Sequence, residues 1–91
     1  MKKAVKIFIF GTVQGVFFRN FVKETADKLG LNGFVRNKDD GSVEVVIEGD
    51  SDKVNEMREL CKQGPPHSQI RRFDFLDEKF QGLEKFKILK F

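Results

Sequence analysis

Apolar residues change their spacing several times along this 91-residue chain, and each change marks a secondary-structure element. Residues 4–10 form an apolar run, mostly β-branched and aromatic and interrupted only by Lys6, that predicts a largely buried strand. A helical spacing follows, and it stops before Gly30, where a left-handed residue would end a helix. Its apolar face is formed by Phe18, Phe21, Val22, Thr25, Ala26 and Leu29.

The middle of the chain predicts a hairpin and then a second helix. Residues 31–37 are typical of a strand that ends at the turn-forming run 38–41, in which Asp-Gly favours a hairpin. In the next strand, 42–49, one set of alternate positions is apolar and the other includes two glutamates, so we expect the second face to be partly wet. Residues 50–52 offer capping oxygens for a helix that ends at Gly64 and two prolines.

Two further strands, 70–76 and 85–91, give the order β-α-β-β-α-β with a short extra C-terminal strand. This order predicts an α+β fold, a ferredoxin-like α/β sandwich with two helices on one face of a mainly antiparallel sheet. We expect residues 1–91 to form a single domain. Because this scaffold hosts many activities, function has to be argued from sites.

The turn between the first strand and the first helix is the strongest candidate site. The first N–H groups of a helix lack internal partners, and the helix dipole adds positive charge there, so an anion is the expected guest. Gly11 and Gly15 permit positive φ angles and a close approach to a ligand, and Arg19 supplies a planar cation that matches two phosphate oxygens. For a generic Gly-x-x-x-Gly taken alone, an ordinary glycine turn with a solvated arginine would be the better explanation.

Two stretches of the chain together resemble the acylphosphatase family. The first is Gly-Thr-Val-Gln-Gly-Val-Phe-Phe-Arg at 11–19, and the second is Gly-Phe-Val-Arg-Asn at 33–37, continued by Gly41, Val43 and Gly49. Two signatures at the family's spacing are far more specific than one glycine loop, and the similarity extends over essentially the whole chain.

The resemblance implies that the protein hydrolyses a carboxyl–phosphate anhydride to a carboxylate and inorganic phosphate. It implies that Arg19 binds the phosphate and that Asn37 positions the attacking water. The backbone N–H groups that would form the phosphate cradle are those of Gln14, Gly15, Val16, Phe17, Phe18 and Arg19. Phe17 stands where the family often has a smaller residue, and Phe34 where it often has Trp or Tyr, so both positions bear on substrate preference.

No metal or other cofactor is expected, because a carboxylate is a good leaving group and phosphoryl transfer is mostly a matter of positioning and electrostatics. The single histidine, His67, has no companion ligand by spacing, and Asp39 with Asp40 fits a turn better than a cation site. Cys61 lies on the apolar stripe of the second helix, and we expect it in the core.

Composition and net charge restrict the classes of ligand and the cellular location that we expect. The net charge of +3 and the pI near 9.1 favour anionic ligands without naming them. No signal peptide or membrane span is predicted, and a single cysteine fits a cytoplasmic location. The expected partners are a small acyl phosphate, as substrate, and inorganic phosphate, as product and inhibitor. We expect no binding to nucleic acid or to a membrane. We also expect the protein to be a monomer.

Two alternative functions stay open at this point. RNA binding is favoured by the element order, the basic pI and the aromatic strand residues, although the strands lack the expected glycine-aromatic signature. The other alternative is a regulatory module that keeps the phosphate cradle without catalysis. A hydrolysis assay separates both from the enzyme.

Overall fold

The fold is a five-stranded sheet with two helices on one face, described by a computed structural model over residues 1–12, 16–66 and 68–89. Its elements are β1 (Lys2–Thr12), α1 (Val16–Lys28), β2 (Asn32–Asn37), β3 (Val43–Asp50), α2 (Ser51–Gln63), β4 (Gln69–Asp77) and β5 (Phe86–Leu89). The strand order is β4-β1-β3-β2-β5, and every neighbouring pair is antiparallel except β2 and β5. The predicted ferredoxin-like fold is confirmed, and residues 90 and 91 of the last predicted strand lie outside the described ranges.

The hydrophobic core lies between the sheet and the helices. Alternate residues of the central strands point into it, because successive side chains of a strand face opposite ways. Helix α1 packs over β2 and β5, and α2 packs over β1 and β3. The fully buried members of the core include Ile7, Ile9, Val22, Ala26, Val35, Val45, Ile47 and Met57.

The ends of the helices follow the sequence prediction in part. Gly30 has a φ of +69° and ends α1, and the N–H of Leu31 donates to the carbonyl oxygen of Ala26 at 2.9 Å, as in a Schellman motif. At the start of α2, Asp50 makes no side-chain capping hydrogen bond. Its carboxylate pairs with Lys2 at 3.1 Å instead, so the prediction of a capping oxygen is wrong for Asp50.

The expectation that one face of β3 is partly wet is wrong. Glu44 and Glu48 expose only 4% and 1% of their surface, and Val46 is buried beside them. Since β3 is the central strand, it has a neighbour on each side, and a loop lies over the face that the helices leave open. We call this loop, residues 78–85, the crossing segment.

The crossing segment runs from the β4 edge of the sheet to the β5 edge. The N–H of Glu78 donates to the carbonyl oxygen of Ala4 in β1 at 2.9 Å, and the N–H of Gln81 donates to the carboxylate of Glu48 in β3 at 2.9 Å. The N–H of Leu83 donates to the other Glu48 oxygen. Two backbone donors therefore satisfy a carboxylate that the segment itself covers.

Candidate active site

The strand register brings the two predicted signatures to the same end of the sheet. Ile9 of β1 pairs with Val43 of β3, and Val43 pairs with Asn37 of β2. With neighbouring strands about 4.8 Å apart, Asn37 lies about 10 Å across the sheet from Ile9. Strand β1 ends at Thr12, three residues beyond Ile9, and α1 begins at Val16, so the start of α1 and the end of β2 lie at the same end of the sheet.

Asn37 faces the helix side of the sheet. It lies two residues after the fully buried Val35, so the pleat directs both side chains to the face that α1 covers. The Oδ1 atom of Asn37 is buried, and no group in the described part of the chain donates a hydrogen bond to it. Such an oxygen calls for a donor, which a bound water or ligand would supply.

The first turn of α1 is anchored by Phe18. This side chain is 4% exposed and its ring lies 6.2 Å from that of Phe21, so the helix start is fixed against the core. Arg19 lies in the same turn and is partly exposed, and the turn contains no acidic residue. The N–H groups of residues 16–19 and the helix dipole therefore present positive charge at this end.

Phe17 contrasts with its neighbour, because 89% of its surface is exposed. The remaining residues of the predicted cradle, Gln14 and Gly15, lie outside the described residues, as does the side chain of Val16. Of the predicted phosphate-binding set, the structure therefore locates the backbone of residues 16–19 and the side chains of Phe17, Phe18 and Arg19.

The positive φ predicted for Gly11 is confirmed, and its missing side chain also serves the packing of the sheet. Its φ is +140°, and a Cβ atom there would lie 2.0 Å from the carbonyl oxygen of Gln69 in β4. The pairing of β1 with β4 shifts register between Phe10 and Gly11. The missing side chain thus admits the neighbouring strand, and the close approach of a ligand to Gly11 stays a prediction.

The residues on either side of Asn37 point to the opposite face. Arg36 pairs through Nε with the buried carboxylate of Glu44, and the Nζ of Lys38 lies 4.8 Å from the ring centroid of Phe8. Asn37 alone of these three faces the helix side. The Arg36–Glu44 pair was not predicted, although the hairpin register, which sets the two residues opposite each other, contains the signal.

The cysteine and the acidic pair behave as predicted. Cys61 is fully buried, and burial raises the pKa of its thiol to about 12. The Oδ1 of Asp40 accepts hydrogen bonds from the N–H of Ser42 at 2.9 Å and from its hydroxyl at 2.6 Å, which lowers the pKa of Asp40 and closes the turn. His67 lies outside the described residues.

The described part of the chain contains neither a cluster of metal-ligating side chains nor a helix that could span a membrane. Across residues 1–12, 16–66 and 68–89, no three His, Cys, Asp or Glu side chains lie together as metal ligands would. Within the same ranges, neither helix has the length and apolar character needed to cross a membrane.

Comparison with known proteins identifies relatives in sequence and in structure. The family model for acylphosphatase matches residues 5–88. An acylphosphatase of Syntrophus aciditrophicus is 41% identical over 90 residues, covering 98% of this chain and 94% of the relative. One of Thermococcus kodakarensis is 46% identical over 81 residues, covering 89% of each.

The solved structures agree with the sequence relatives. The crystal structure of acylphosphatase from Bacillus subtilis superposes with a TM-score of 0.91 at 37% identity, covering 98% of this chain and 99% of that one. Sequence and fold lead to the same conclusion: the chain belongs to the acylphosphatase family of enzymes.

Proposed function

We propose that this chain hydrolyses the carboxyl–phosphate bond of acyl phosphates, by in-line attack of a water that Asn37 positions. Family membership supports the reaction class. The single observation that carries the role of Asn37 is its buried Oδ1 without a donor in the described part of the chain, at the end of the sheet where α1 begins.

The phosphate binds at the start of α1 in this proposal. The backbone N–H groups of Gln14, Gly15, Val16, Phe17, Phe18 and Arg19 donate to its oxygens, and the Arg19 guanidinium adds a fixed positive charge. Because charge sits on the equatorial oxygens of a loose transition state, donors held in place before reaction stabilise it without reorganising. The anchoring of Phe18 in the core supports this, since it holds the first turn still.

The attacking water donates a hydrogen bond to the Oδ1 of Asn37. Its oxygen forms the new bond to phosphorus while the bond to the acyl oxygen breaks, and the carboxylate leaves with the electron pair. The proton of the water passes to phosphate or solvent. An amide suits this role because it orients a water without titrating, and a carboxylate leaves readily enough that no general acid is needed.

The substrate class, the cellular location and the oligomeric state are also part of the proposal. We expect a small acyl phosphate as substrate, inorganic phosphate as a competitive inhibitor, and no requirement for a metal. The cytoplasmic location, the monomeric state and the extent of the domain, residues 1–91, stay predictions. Sedimentation or size-exclusion measurements test the assembly.

The decisive experiment measures phosphate release from benzoyl phosphate in EDTA. We expect Arg19→Ala and Asn37→Ala each to lower kcat/KM by about 10²-fold or more, as removal of one preorganised donor does in other enzymes. Lys28→Ala and Asn55→Ala are matched controls, because both side chains are exposed on helices away from the site, and they should retain activity.

Circular dichroism of each variant separates a lost site from a lost fold. A wild-type protein that releases phosphate no faster than buffer would contradict the proposal. So would full activity of Arg19→Ala.

No observation favours the RNA-binding or regulatory alternatives over hydrolysis. Phe8 and Phe10 do lie on the open face of the sheet, but Lys38 lies over the first ring and Arg72 lies 5.1 Å from the centroid of the second. The crossing segment covers another part of that face. Base stacking requires an open sheet face with exposed rings, so this covered face does not favour RNA binding.

A further inference from the structure

Phe17 is an unusually exposed aromatic residue. Of the phenylalanines in the described part of the chain it is the most exposed, at 89%, against 48% for Phe80 and 40% for Phe75. A side chain of this size normally gains by burial, because removing apolar surface from water is favourable. Its ring is therefore available for a contact that the described part of the chain does not supply.

The helix geometry sets this ring beside the proposed phosphate site. Successive residues of a helix are about 100° apart, so Phe17 and Arg19 lie on the two flanks of Phe18, which points into the core. All three belong to the first turn of α1, whose N–H groups would hold the phosphate. Phe17 thus borders the mouth of the site on the side away from Arg19.

In-line attack fixes the direction in which the acyl group leaves. The water is held by Asn37, whose side chain faces the space between the sheet and α1. The acyl oxygen has to lie on the opposite side of the phosphorus, which directs the acyl group away from the sheet and towards solvent. We expect that exit at the exposed rim of the α1 first turn, to which Phe17 belongs.

We propose that Phe17 contacts the acyl group of the substrate and makes the site favour apolar, aromatic acyl phosphates over small ones. This inference rests on the proposed hydrolysis. An aromatic ring packed against Phe17 gains contact that a methyl group cannot, and an aromatic pair is worth about three- to tenfold in affinity. The effect belongs in KM more than in kcat, because the contact does not involve the breaking bond.

The test compares benzoyl phosphate with acetyl phosphate in the wild type and in Phe17→Ala. We expect the ratio of kcat/KM for benzoyl phosphate to kcat/KM for acetyl phosphate to fall about fivefold, mainly through a higher KM for the benzoyl compound. The ratio for Phe17→Leu should lie between that of the wild type and that of Phe17→Ala. Phe80→Ala is the matched control, since it removes another exposed ring on the crossing segment, and it should leave the ratio unchanged.

An unchanged ratio in Phe17→Ala would overturn the inference, whether or not both rates fall together. A wild type that hydrolyses neither compound would refute the proposed function instead. A ratio that falls equally in Phe80→Ala would also overturn the inference, because the selectivity would then not belong to the rim of the site.

Discussion

At the scale of single residues, Asn37 is the side chain whose environment is least explained by folding. A buried polar atom without a partner costs about 1–3 kcal/mol, and the described part of the chain offers its Oδ1 no donor. The residues beside it, Arg36 and Lys38, place their charges on the other face. Strand β2 therefore has its unsatisfied buried oxygen at the position where the attacking water is proposed to bind. Proteins tolerate a loss of stability of this kind at functional sites.

Cys61 gives a prediction at the same scale. Burial raises its thiol pKa to about 12, so at pH 8 almost none of it is the reactive thiolate, and its side chain is fully buried besides. We expect the native protein to resist iodoacetamide, and the protein in concentrated urea to react quickly. Since the chain has one cysteine, mass spectrometry measures this without ambiguity. Fast labelling of the native protein would show that α2 opens readily.

At the scale of elements, the crossing segment is held on the sheet by one carboxylate. Both oxygens of Glu48 accept backbone hydrogen bonds from it, and hydrogen bonds to a charged group are worth more than neutral ones. Replacing Glu48 by Gln leaves one N–H facing an NH₂ group, and we expect the free energy of unfolding in urea to fall by about 2 kcal/mol. Glu56→Gln, at an exposed position of α2, should change it by less than about 0.5 kcal/mol.

The same variant separates stability from activity. Glu48 pairs with Ala4, five residues along β1 from the Ile9–Val43 pair at the site, a distance of about 17 Å. We therefore expect Glu48→Gln to keep its kcat under conditions where it is folded. A loss of kcat as large as the one in Asn37→Ala would mean that the two ends of the sheet are coupled.

The elements also show what the sequence could and could not predict. The strands, helices and hairpin follow from the periodicity of apolar residues and from Gly30, Gly64 and Asp-Gly, which are local signals. The crossing segment has no periodicity, and its partners lie about 33 residues or more away in sequence, so the burial of Glu48 could not be predicted. The close contact of Gly11 with β4 could not be predicted for the same reason, because its neighbour there, Gln69, belongs to a strand that is distant in sequence.

At the scale of the whole molecule, ion pairs connect the sheet across its open face. Lys6 of β1 lies 3.6 Å from Glu44 of β3 and 3.2 Å from Glu78 of the crossing segment, and Glu44 also pairs with Arg36 of β2. The hydrogen bond to Glu78 raises the pKa of Lys6, and the same bond lowers the pKa of Glu78. The network therefore stabilises the fold most when both groups are charged.

These shifts predict a dependence of stability on pH. Glu78, Asp40 and Asp50 all have pKa values lowered by partners in the folded chain, so their contribution is present above their unfolded pKa values and is lost as pH falls through the folded ones. Lys6 has a raised pKa, so its contribution is present below its unfolded pKa of 10.5 and is lost as pH rises through the folded value. We expect the free energy of unfolding to be nearly flat from about pH 5 to 9 and to fall below about pH 4.

Lys6→Gln tests whether the network carries this dependence. The variant removes the ion-pair partner of Glu78, so its acid limb should be shallower than that of the wild type, with stability already lower on the plateau. Lys62→Gln removes an exposed lysine of α2 outside the network and should leave the shape of the curve unchanged. Urea denaturation at a series of pH values measures both. If Lys6→Gln kept the full wild-type slope between pH 5 and 3, the acid sensitivity would come from other carboxylates such as Asp40 and Asp50, and the Lys6–Glu78 pair would contribute nothing to it.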